Sequence, residues 1–246
     1  MTPGALTVRA DAVVLDIEGT TGSARHVHDV LFPYARARLG PWFAARRGTR
    51  EHAELLEAVR EFAGDPALDE AAAVAALTAW SDADVKAPPL KAVQARIWAA
   101  GYADATLTGH VYPDVPGALE RWRRAGIARY VYSSGAEPAQ RAWFRHSGRG
   151  DLTVLLDGYF DLASAGGKKE PDSYRAITAA IGVPAKRTVF LSDVTAELDA
   201  AAAAGWHTVG VARAPERPPT GTAHPWITTL DATALTGPHH HEAGTA

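Results

Sequence analysis

The stretch that decides the fold is Ala12-Val13-Val14-Leu15-Asp16-Ile17-Glu18-Gly19-Thr20-Thr21, an apolar run followed by two acids and a polar turn. A short, continuous apolar run of this kind is typical of a strand buried on both faces of a parallel sheet. In open α/β sheets, ligands bind beyond the carboxyl ends of such strands. Asp16 and Glu18 alternate along an extended segment, so both carboxylates are expected to face one site. Taken alone, the stretch also fits an ordinary strand followed by an acidic turn.

The composition describes an ordinary globular chain of 246 residues, 47% hydrophobic and 22% charged. A net charge of -3 creates no field that would attract nucleic acid or an anionic membrane, so we expect neither as a partner. The absence of cysteine excludes disulfides, thiolate catalysis and zinc–thiolate sites. We find neither a signal peptide nor an apolar stretch approaching the ~20 residues that span a bilayer. We therefore expect a cytoplasmic location, and we take a monomer as the working expectation, although these patterns do not determine the oligomeric state.

The chain divides by pattern into two parts. Between residues 26 and 108 the apolar spacing predicts helices and no strand. From Tyr112 onward, predicted strands alternate with helices, which favours a parallel, doubly wound sheet. We therefore predict an α/β core of residues 1–21 and 109–236 with an inserted all-helical cap of residues 22–108.

The strands predicted in the second half are residues 127–132, 154–156, 159–161, 188–192 and 208–212, the last of these ending the sheet. The chain from Ala214 onward is rich in proline, threonine and glycine, and we expect it to be mobile, with residues 237–246 as a tail. His239-His240-His241 lies in that tail. Ordering a flexible segment around a metal is unfavourable, so a solvated run is the preferred interpretation of these histidines.

Polar groups of complementary kinds follow four of these sheet segments: Asp16 and Glu18, then Ser133-Ser134-Gly135, then Lys168-Lys169, then Asp193 with Glu197 one helical turn later. Each feature has an ordinary alternative. Ser-Ser-Gly is a common turn, a lysine pair is usually solvated, and Ser-Asp before a helix is a frequent N-cap. Their common position beyond strands of one domain favours a shared site.

This combination suits phosphoryl transfer from a monoester. Asp16 is the candidate nucleophile, and its attack on phosphorus divides one difficult step into two. A carboxylate and a phosphate dianion repel each other, so a cation must lie between them, and Mg²⁺ prefers oxygen ligands such as Asp16 and Asp193. Glu18 is the candidate acid and base for the leaving oxygen and the attacking water.

The expected contacts to the phosphate come from two further segments. The Ser133 hydroxyl and the amides of Ser134 and Gly135 can donate to a phosphate oxygen at a helix N-terminus. Lys168 supplies a second positive charge. A small phosphorylated molecule is the expected substrate.

Beyond these acids, the chain resembles the haloacid dehalogenase-type phosphatases and, among them, the enolase-phosphatases of methionine salvage. The resemblance spans about residues 11 to 213, and the motifs that carry it are Asp16-Ile17-Glu18-Gly19-Thr20-Thr21, Asp29-Val30-Leu31-Phe32-Pro33-Tyr34-Ala35, Ile97-Trp98-Ala99-Ala100-Gly101-Tyr102, His110-Val111-Tyr112-Pro113-Asp114-Val115, Val131-Tyr132-Ser133-Ser134-Gly135, Asp157-Gly158-Tyr159-Phe160-Asp161, and Phe190-Leu191-Ser192-Asp193-Val194 with Glu197-Leu198-Asp199-Ala200. It implies conversion of 2,3-diketo-5-methylthiopentyl 1-phosphate to an acireductone, by enolisation followed by removal of phosphate.

The same resemblance implies site residues. It implies a Mg²⁺ site made by Asp16, the backbone carbonyl of Glu18 and Asp193, and substrate contacts at Ser133, Ser134 and Lys168. Lys168 is preferred over Lys169 because it lies six residues before Tyr174, the spacing that the family shows between its lysine and an aromatic residue.

Two departures from the family pattern bear on the substrate. After Thr21 the family usually continues with threonine or serine, proline and a branched residue, whereas this chain has Gly22-Ser23-Ala24-Arg25-His26. Ala136-Glu137-Pro138 also differs from the family's preference after the Ser-Ser-Gly turn. A related phosphatase acting on another small phosphate monoester is therefore the alternative function, and a non-catalytic binding module is a third. Glu57, Lys86 and Lys91 are candidates for the enolisation base by charge alone.

Overall fold

A computed structural model describes residues 6–215 and 217–237. The chain divides into two compact units, Met1–Ala24 with Gly109–Ala246, and Arg25–Thr108. The first boundary thus follows Ala24, three residues beyond the boundary after Thr21 that the residue pattern predicts. Within the described residues, no helix is both long enough and apolar enough to cross a membrane.

The first unit is built on a six-stranded, all-parallel sheet, as the strand–helix alternation predicts. Its strand order is β4-β3-β2-β5-β6-β7, and β1 and β8 form a separate parallel pair. The strands are β1 (Leu6–Arg9), β2 (Ala12–Leu15), β3 (Ala128–Tyr132), β4 (Gly158–Phe160), β5 (Thr188–Ser192), β6 (His207–Val211), β7 (Trp226–Ile227) and β8 (Thr233–Thr236).

Helices occupy both units. They are α1 (Ala24–His26), α2 (Phe32–Arg46), α3 (Arg50–Ala63), α4 (Glu70–Asp82), α5 (Pro88–Ala103), α6 (Val115–Arg124), α7 (Glu137–Arg145), α8 (Pro171–Ile181) and α9 (Thr195–Ala203). A π-helical turn (Val27–Leu31) leads directly into α2. The doubly wound α/β class expected from the sequence is confirmed.

Strands β2 and β5 form the centre of the sheet, and every residue of both is buried. This burial explains why neither strand alternates between apolar and polar residues. Helix α6 shows the complementary pattern, with Val115, Ala118, Leu119 and Trp122 buried at helical spacing. At the sheet edge, a Cβ on Gly210 would lie 2.2 Å from the Trp226 ring, so β7 requires glycine there.

The second unit is helical throughout its core, as the apolar spacing predicts. Thr49 and Asp69 cap α3 and α4 by accepting a hydrogen bond from the backbone amide three residues later. Helix α2 continues through Pro41, although a proline in a helix interior removes one backbone hydrogen bond. The helices enclose a shared apolar core, represented by Leu39, Phe43, Leu55, Leu77 and Val93.

Two expectations about the second half of the chain were wrong. Residues 154–156 are not a strand, because Thr153–Leu155 form a 3₁₀ turn in which Val154 is 72% exposed. The chain beyond Ala214 is not uniformly mobile, since β7 and β8 lie within it and Leu230 and Leu235 are buried. Both strands are short, and β8 pairs with the remote β1, so no local periodicity indicates them. The three tail histidines lie outside the described residues.

Candidate active site

Three adjacent strands bring three of the expected site residues to one edge of the sheet. Leu15 on β2 pairs in register with Val131 on β3 and Leu191 on β5. Asp16, Ser133 and Asp193 each come one residue after the end of one of these strands. Because parallel strands end at a common edge, the order β3-β2-β5 makes these residues neighbours although they are remote in sequence.

A buried ion cluster links two of these segments. The Lys168 Nζ lies 2.5 Å from Asp16 Oδ1 and 2.7 Å from Glu197 Oε2, and the three side chains are at most 10% exposed. Burial by itself would lower the pKa of the Lys168 ammonium, but the charges of Asp16 and Glu197 outweigh it and raise that pKa. The lysine therefore stays protonated between the two acids.

The lysine loop, defined here as residues 166–170, is held by three side-chain hydroxyls. Tyr132 Oη donates to the Gly166 carbonyl at 2.8 Å, Ser173 Oγ to the Gly167 carbonyl at 2.8 Å, and Tyr174 Oη to the Lys168 carbonyl at 2.7 Å. Burial raises the pKa of both tyrosines, so they remain neutral donors. These bonds fix the backbone from which the ammonium reaches Asp16.

Residues 17–23 follow Asp16 directly and are called the nucleophile turn here, after the candidate nucleophile Asp16. The amides of Thr20, Thr21 and Gly22 all donate to the Ile17 carbonyl, at 3.2, 3.0 and 2.7 Å. Thr21 Oγ1 donates to the carbonyl of Asp16 at 2.8 Å. Glu18 is exposed within this turn. The backbone that carries both acids is therefore closely hydrogen-bonded.

The third expected acid, Asp193, contacts the nucleophile turn at Gly19. Gly19 has φ +75°, and a Cβ on it would lie 2.1 Å from Asp193 Oδ2, so only glycine allows this approach. Although Asp193 as a whole is exposed, desolvation and the negative charge of Asp16 raise the pKa of its carboxyl to about 7. The two carboxylates are thus close enough to repel each other.

That repulsion is the feature that suits a divalent cation. Two mutually repelling carboxylates with a nearby backbone carbonyl form an oxygen donor set of the kind that Mg²⁺ prefers. Across residues 6–215 and 217–237, no group of three or more histidine, aspartate or glutamate side chains is arranged to hold a metal. A site here would therefore use the two aspartates and other oxygens rather than three acidic side chains.

The Ser-Ser-Gly turn lies between β3 and α7. Ser133 is buried, whereas Ser134 and Gly135 are exposed. The Gly135 amide donates to Ser133 Oγ at 3.3 Å. Of the expected phosphate donors, this amide is therefore already engaged, which leaves the Ser133 hydroxyl and the Ser134 amide as the remaining donors of the turn.

Comparison with known proteins identifies the family. A family model described as haloacid dehalogenase-like hydrolase matches residues 10–205. An enolase-phosphatase E1 from Streptomyces avermitilis is 51% identical over 203 residues, covering 82% of this chain and 85% of that protein. An enolase-phosphatase E1 from Frankia alni is 48% identical over 226 residues, covering 92% and 96% of the two chains. This chain belongs to the enolase-phosphatase E1 family.

Solved structures agree with this family. The UTR4 protein of Saccharomyces cerevisiae superposes with a TM-score of 0.75 and 30% identity, covering 90% of this chain and 98% of that one. CbbY from Rhodobacter sphaeroides, with a TM-score of 0.59 and 21% identity, shares the fold alone. The family, the fold class and the enolase-phosphatase function expected from the sequence are confirmed.

The site of this enolase-phosphatase also contains functional groups that the sequence pattern does not indicate. Glu197 and Ser192 complete the ion cluster, since Ser192 Oγ donates to Glu197 Oε2 at 2.9 Å. The sequence singles out Glu197 for its position one helical turn after Asp193 and for its place in a family motif, but nothing in the pattern indicates that its partner is Lys168. Tyr132 and Ser173 were not recognised because they act on backbone carbonyls.

The three residues of the second unit that were considered for enolisation are exposed or form ion pairs on the surface. Glu57 pairs with Arg60 at 3.3 Å on the surface, Lys86 pairs with Asp84 at 2.5 Å, and Lys91 is exposed. Lys169 is exposed as well, in contrast to the buried Lys168.

Proposed function

We propose that this enolase-phosphatase acts on 2,3-diketo-5-methylthiopentyl 1-phosphate in methionine salvage, with Asp16 as its nucleophile. The observation that carries the proposal is the buried ammonium of Lys168, 2.5 Å from Asp16 Oδ1. A fixed positive charge beside a buried carboxylate is what attack on a phosphate dianion requires. The relatives are enolase-phosphatases, and that name supports the same two-part reaction.

The proposed reaction begins with enolisation, in which one proton moves from the carbon bearing the ester to the neighbouring carbonyl oxygen. One oxygen of Asp16 then attacks phosphorus, and the bond from phosphorus to the ester oxygen breaks. The leaving oxygen takes the bonding pair and a proton from Glu18. Water next attacks the aspartyl phosphate and gives its proton to Glu18, and the bond between phosphorus and Asp16 breaks, releasing inorganic phosphate.

Other groups of the site bind and orient the phosphate. Ser133 and the Ser134 amide donate to its oxygens, with Gly135 shaping the turn, and Lys168 neutralises its charge. Asp16, the Glu18 carbonyl and Asp193 would hold Mg²⁺, which supplies charge neutralisation for both the phosphate and the enolate when bound. We further propose that the protein acts as a cytoplasmic monomer on this small substrate, without nucleic acid or membrane partners.

The test follows enol absorbance and free phosphate together after addition of the diketo phosphate, with Mg²⁺ and after chelation. We expect the enol signal to precede phosphate and both to depend on Mg²⁺. Asp16→Asn should remove phosphate release. Asp172→Asn, which alters a carboxylate that is 91% exposed on α8, is the matched control and should retain it. Phosphate release by Asp16→Asn at the wild-type rate would refute the nucleophile assignment.

A second candidate is a phosphatase of the same mechanism that acts on another small phosphate monoester. The nucleophile turn favours considering it, because a Cβ on Gly22 would lie 2.7 Å from both the His110 carbonyl and the Trp143 ring. The threonine or serine that the family usually has there would require this surface to shift. A panel of sugar and keto phosphates distinguishes the candidates, since phosphate release without a preceding enol signal supports the second.

A further inference from the structure

Arg213 is a buried cation outside the site described above and outside the matched residues 10–205. It lies two residues after β6 and is 6% exposed. Its Nε donates to the carbonyl of Thr20 at 2.9 Å, and its Nη1 donates to Asp114 Oδ2 at 2.6 Å. The guanidinium carbon lies 4.4 Å from the centre of the Tyr112 ring. One side chain therefore joins the nucleophile turn to the residue that precedes α6.

Asp114 is itself fixed from a third direction. Its Oδ2 also accepts hydrogen bonds from Thr229 Oγ1 at 2.9 Å and from the Leu230 amide at 2.6 Å. The carboxylate thus holds the guanidinium in one orientation with respect to the sheet. Because a guanidinium presents its donors in a rigid fork, fixing Nη1 also fixes the direction in which Nε points.

The bond to Thr20 bears directly on the catalytic groups. Thr20 lies between Gly19, which is in contact with the Asp193 carboxylate, and Thr21, whose hydroxyl is bonded to the Asp16 carbonyl. The Thr21 carbonyl accepts from the Tyr112 amide at 3.0 Å. Two successive carbonyls of the turn therefore accept hydrogen bonds from other parts of the unit. The Thr20 carbonyl accepts from Arg213, and the Thr21 carbonyl accepts from a backbone amide.

An anion site is the competing interpretation of this cation. Arg213 borders a cavity of about 390 Å³ together with Tyr112, Pro113, Asp114, Thr229 and Asp231. The cavity carries two acids and one arginine, and Asp114 already compensates the arginine, so the charge does not favour an anion. Within the described residues, Arg213 Nη2 and Asp114 Oδ1 are buried without a hydrogen-bond partner, which suits water there.

We propose that Arg213 is a positioning residue for phosphoryl transfer: it holds the Thr20 carbonyl so that Glu18 and the Gly19–Asp193 contact keep their places beside Asp16. Asp114 and Tyr112 orient its guanidinium. The inference rests on the proposed roles of Asp16, Glu18 and Asp193. A displacement of about 1 Å in such a group reduces turnover by about 10²-fold, so a small movement of the turn is sufficient.

The decisive variant is Arg213→Lys, which keeps the positive charge and removes the fork that serves Asp114 and Thr20 together. The matched control is Arg187→Lys, because Arg187 makes a two-pronged pair with Asp11 in the same unit, at 2.9 and 2.5 Å, before β5 and thus away from the site. Urea unfolding and steady-state kinetics with the diketo phosphate are measured for both variants.

We expect Arg213→Lys to lower kcat by about 10- to 100-fold with little change in KM, and Arg187→Lys to lower stability without lowering kcat. If Arg213 had only a structural role, Arg213→Lys would lose stability as Arg187→Lys does, and the kcat of the folded enzyme would change to the same extent in both variants. An unchanged kcat in folded Arg213→Lys, or an equal fall in kcat in Arg187→Lys, would overturn the proposal.

Tyr112→Leu provides a second route, because it keeps the ion pair and removes the aromatic face on which the guanidinium rests, together with the contact of that ring with His110. It should change kcat in the same direction by a smaller factor, and an unchanged kcat counts against the proposal. Failure of the proposed function is recognised separately. If the wild type releases phosphate from other monoesters but not from the diketo phosphate, the substrate assignment fails, and the same variants are compared on the monoester that is hydrolysed.

Discussion

The lysine loop and the nucleophile turn contribute opposite charges to one site but are held in different ways. The lysine loop is fastened by neutral hydroxyls of Tyr132, Ser173 and Tyr174 that donate to its carbonyls. The nucleophile turn is held by hydrogen bonds from its own amides and from the charged Arg213. The guanidinium of Arg213 is in turn oriented by its ion pair with Asp114. The comparison predicts that the hydroxyl hydrogen bonds of the lysine loop are insensitive to acid, whereas the Arg213–Asp114 ion pair that holds the nucleophile turn is sensitive to it.

The largest effect is expected from breaking the Arg213–Asp114 ion pair. Asp114→Asn leaves Arg213 buried without a counter-charge, which should lower the free energy of unfolding by about 3–5 kcal/mol near neutral pH. Burial opposes ionisation of Asp114, but the bond from Arg213 and the other donors lower its folded pKa below the usual 3.8. Its contribution to stability is therefore present above the unfolded pKa and is lost as the pH falls through the folded pKa.

Urea unfolding of the wild type and Asp114→Asn at a series of pH values measures this effect. The difference in unfolding free energy between the wild type and Asp114→Asn should be largest near neutral pH. It should begin to decrease at about pH 5 and continue to decrease below the pKa of Asp114 in the unfolded chain. A difference that stays constant from neutral pH into the acid range would contradict the assignment of the acid sensitivity to Asp114.

The next effect concerns the ammonium that joins the two regions. Lys168→Met removes the charge that faces Asp16 and Glu197, and we expect kcat to fall by about 10²–10³-fold, as for loss of a donor that stabilises transition-state charge. Lys169→Met is the matched control, since the neighbouring lysine is exposed, and its kcat should remain near that of the wild type. Equal losses in the two variants would remove the distinction between these lysines.

Removing one of the neutral hydrogen bonds that hold the lysine loop should have a smaller effect. Tyr174→Phe leaves the buried Lys168 carbonyl without its donor and should lower the unfolding free energy by about 1–3 kcal/mol. Burial raises the pKa of Tyr174, so this loss should be the same from mildly acidic to neutral pH. Tyr130→Phe is the control, because no hydrogen bond joins its hydroxyl to the lysine loop in the described part of the chain. A pH-dependent loss in Tyr174→Phe would argue against the contrast between the two regions.

The smallest effect is expected from a surface ion pair that lies near the lysine loop but does not hold it. Arg175 pairs with Asp172 on the surface of α8, with side chains 58% and 91% exposed. Arg175→Gln should change the unfolding free energy by less than about 1 kcal/mol and leave kcat unchanged, because solvent screens such pairs. Thermal unfolding and steady-state kinetics check both expectations. A large loss of kcat would show that α8 itself, rather than its hydroxyl donors, positions the lysine.

Local sequence patterns were sufficient to predict the elements whose burial pattern is visible within their own segment. The buried strands β2 and β5, the amphipathic helix α6 and the helical unit follow from apolar spacing, which depends only on neighbouring residues. Strands β1, β7 and β8 were missed, and residues 154–156 were assigned wrongly, because short segments carry too little periodic pattern and their pairing partners are remote.

By itself, the sequence determined the α/β class, the family and the residue types that the candidate site uses. Only the tertiary structure decided that Glu197 shares the ammonium of Lys168, that Tyr132 and Ser173 hold the lysine loop, and that Arg213 reaches Thr20. The physical reason is that these contacts join backbone carbonyls and charges brought together by strand order. Neither spacing nor composition along one chain encodes that order.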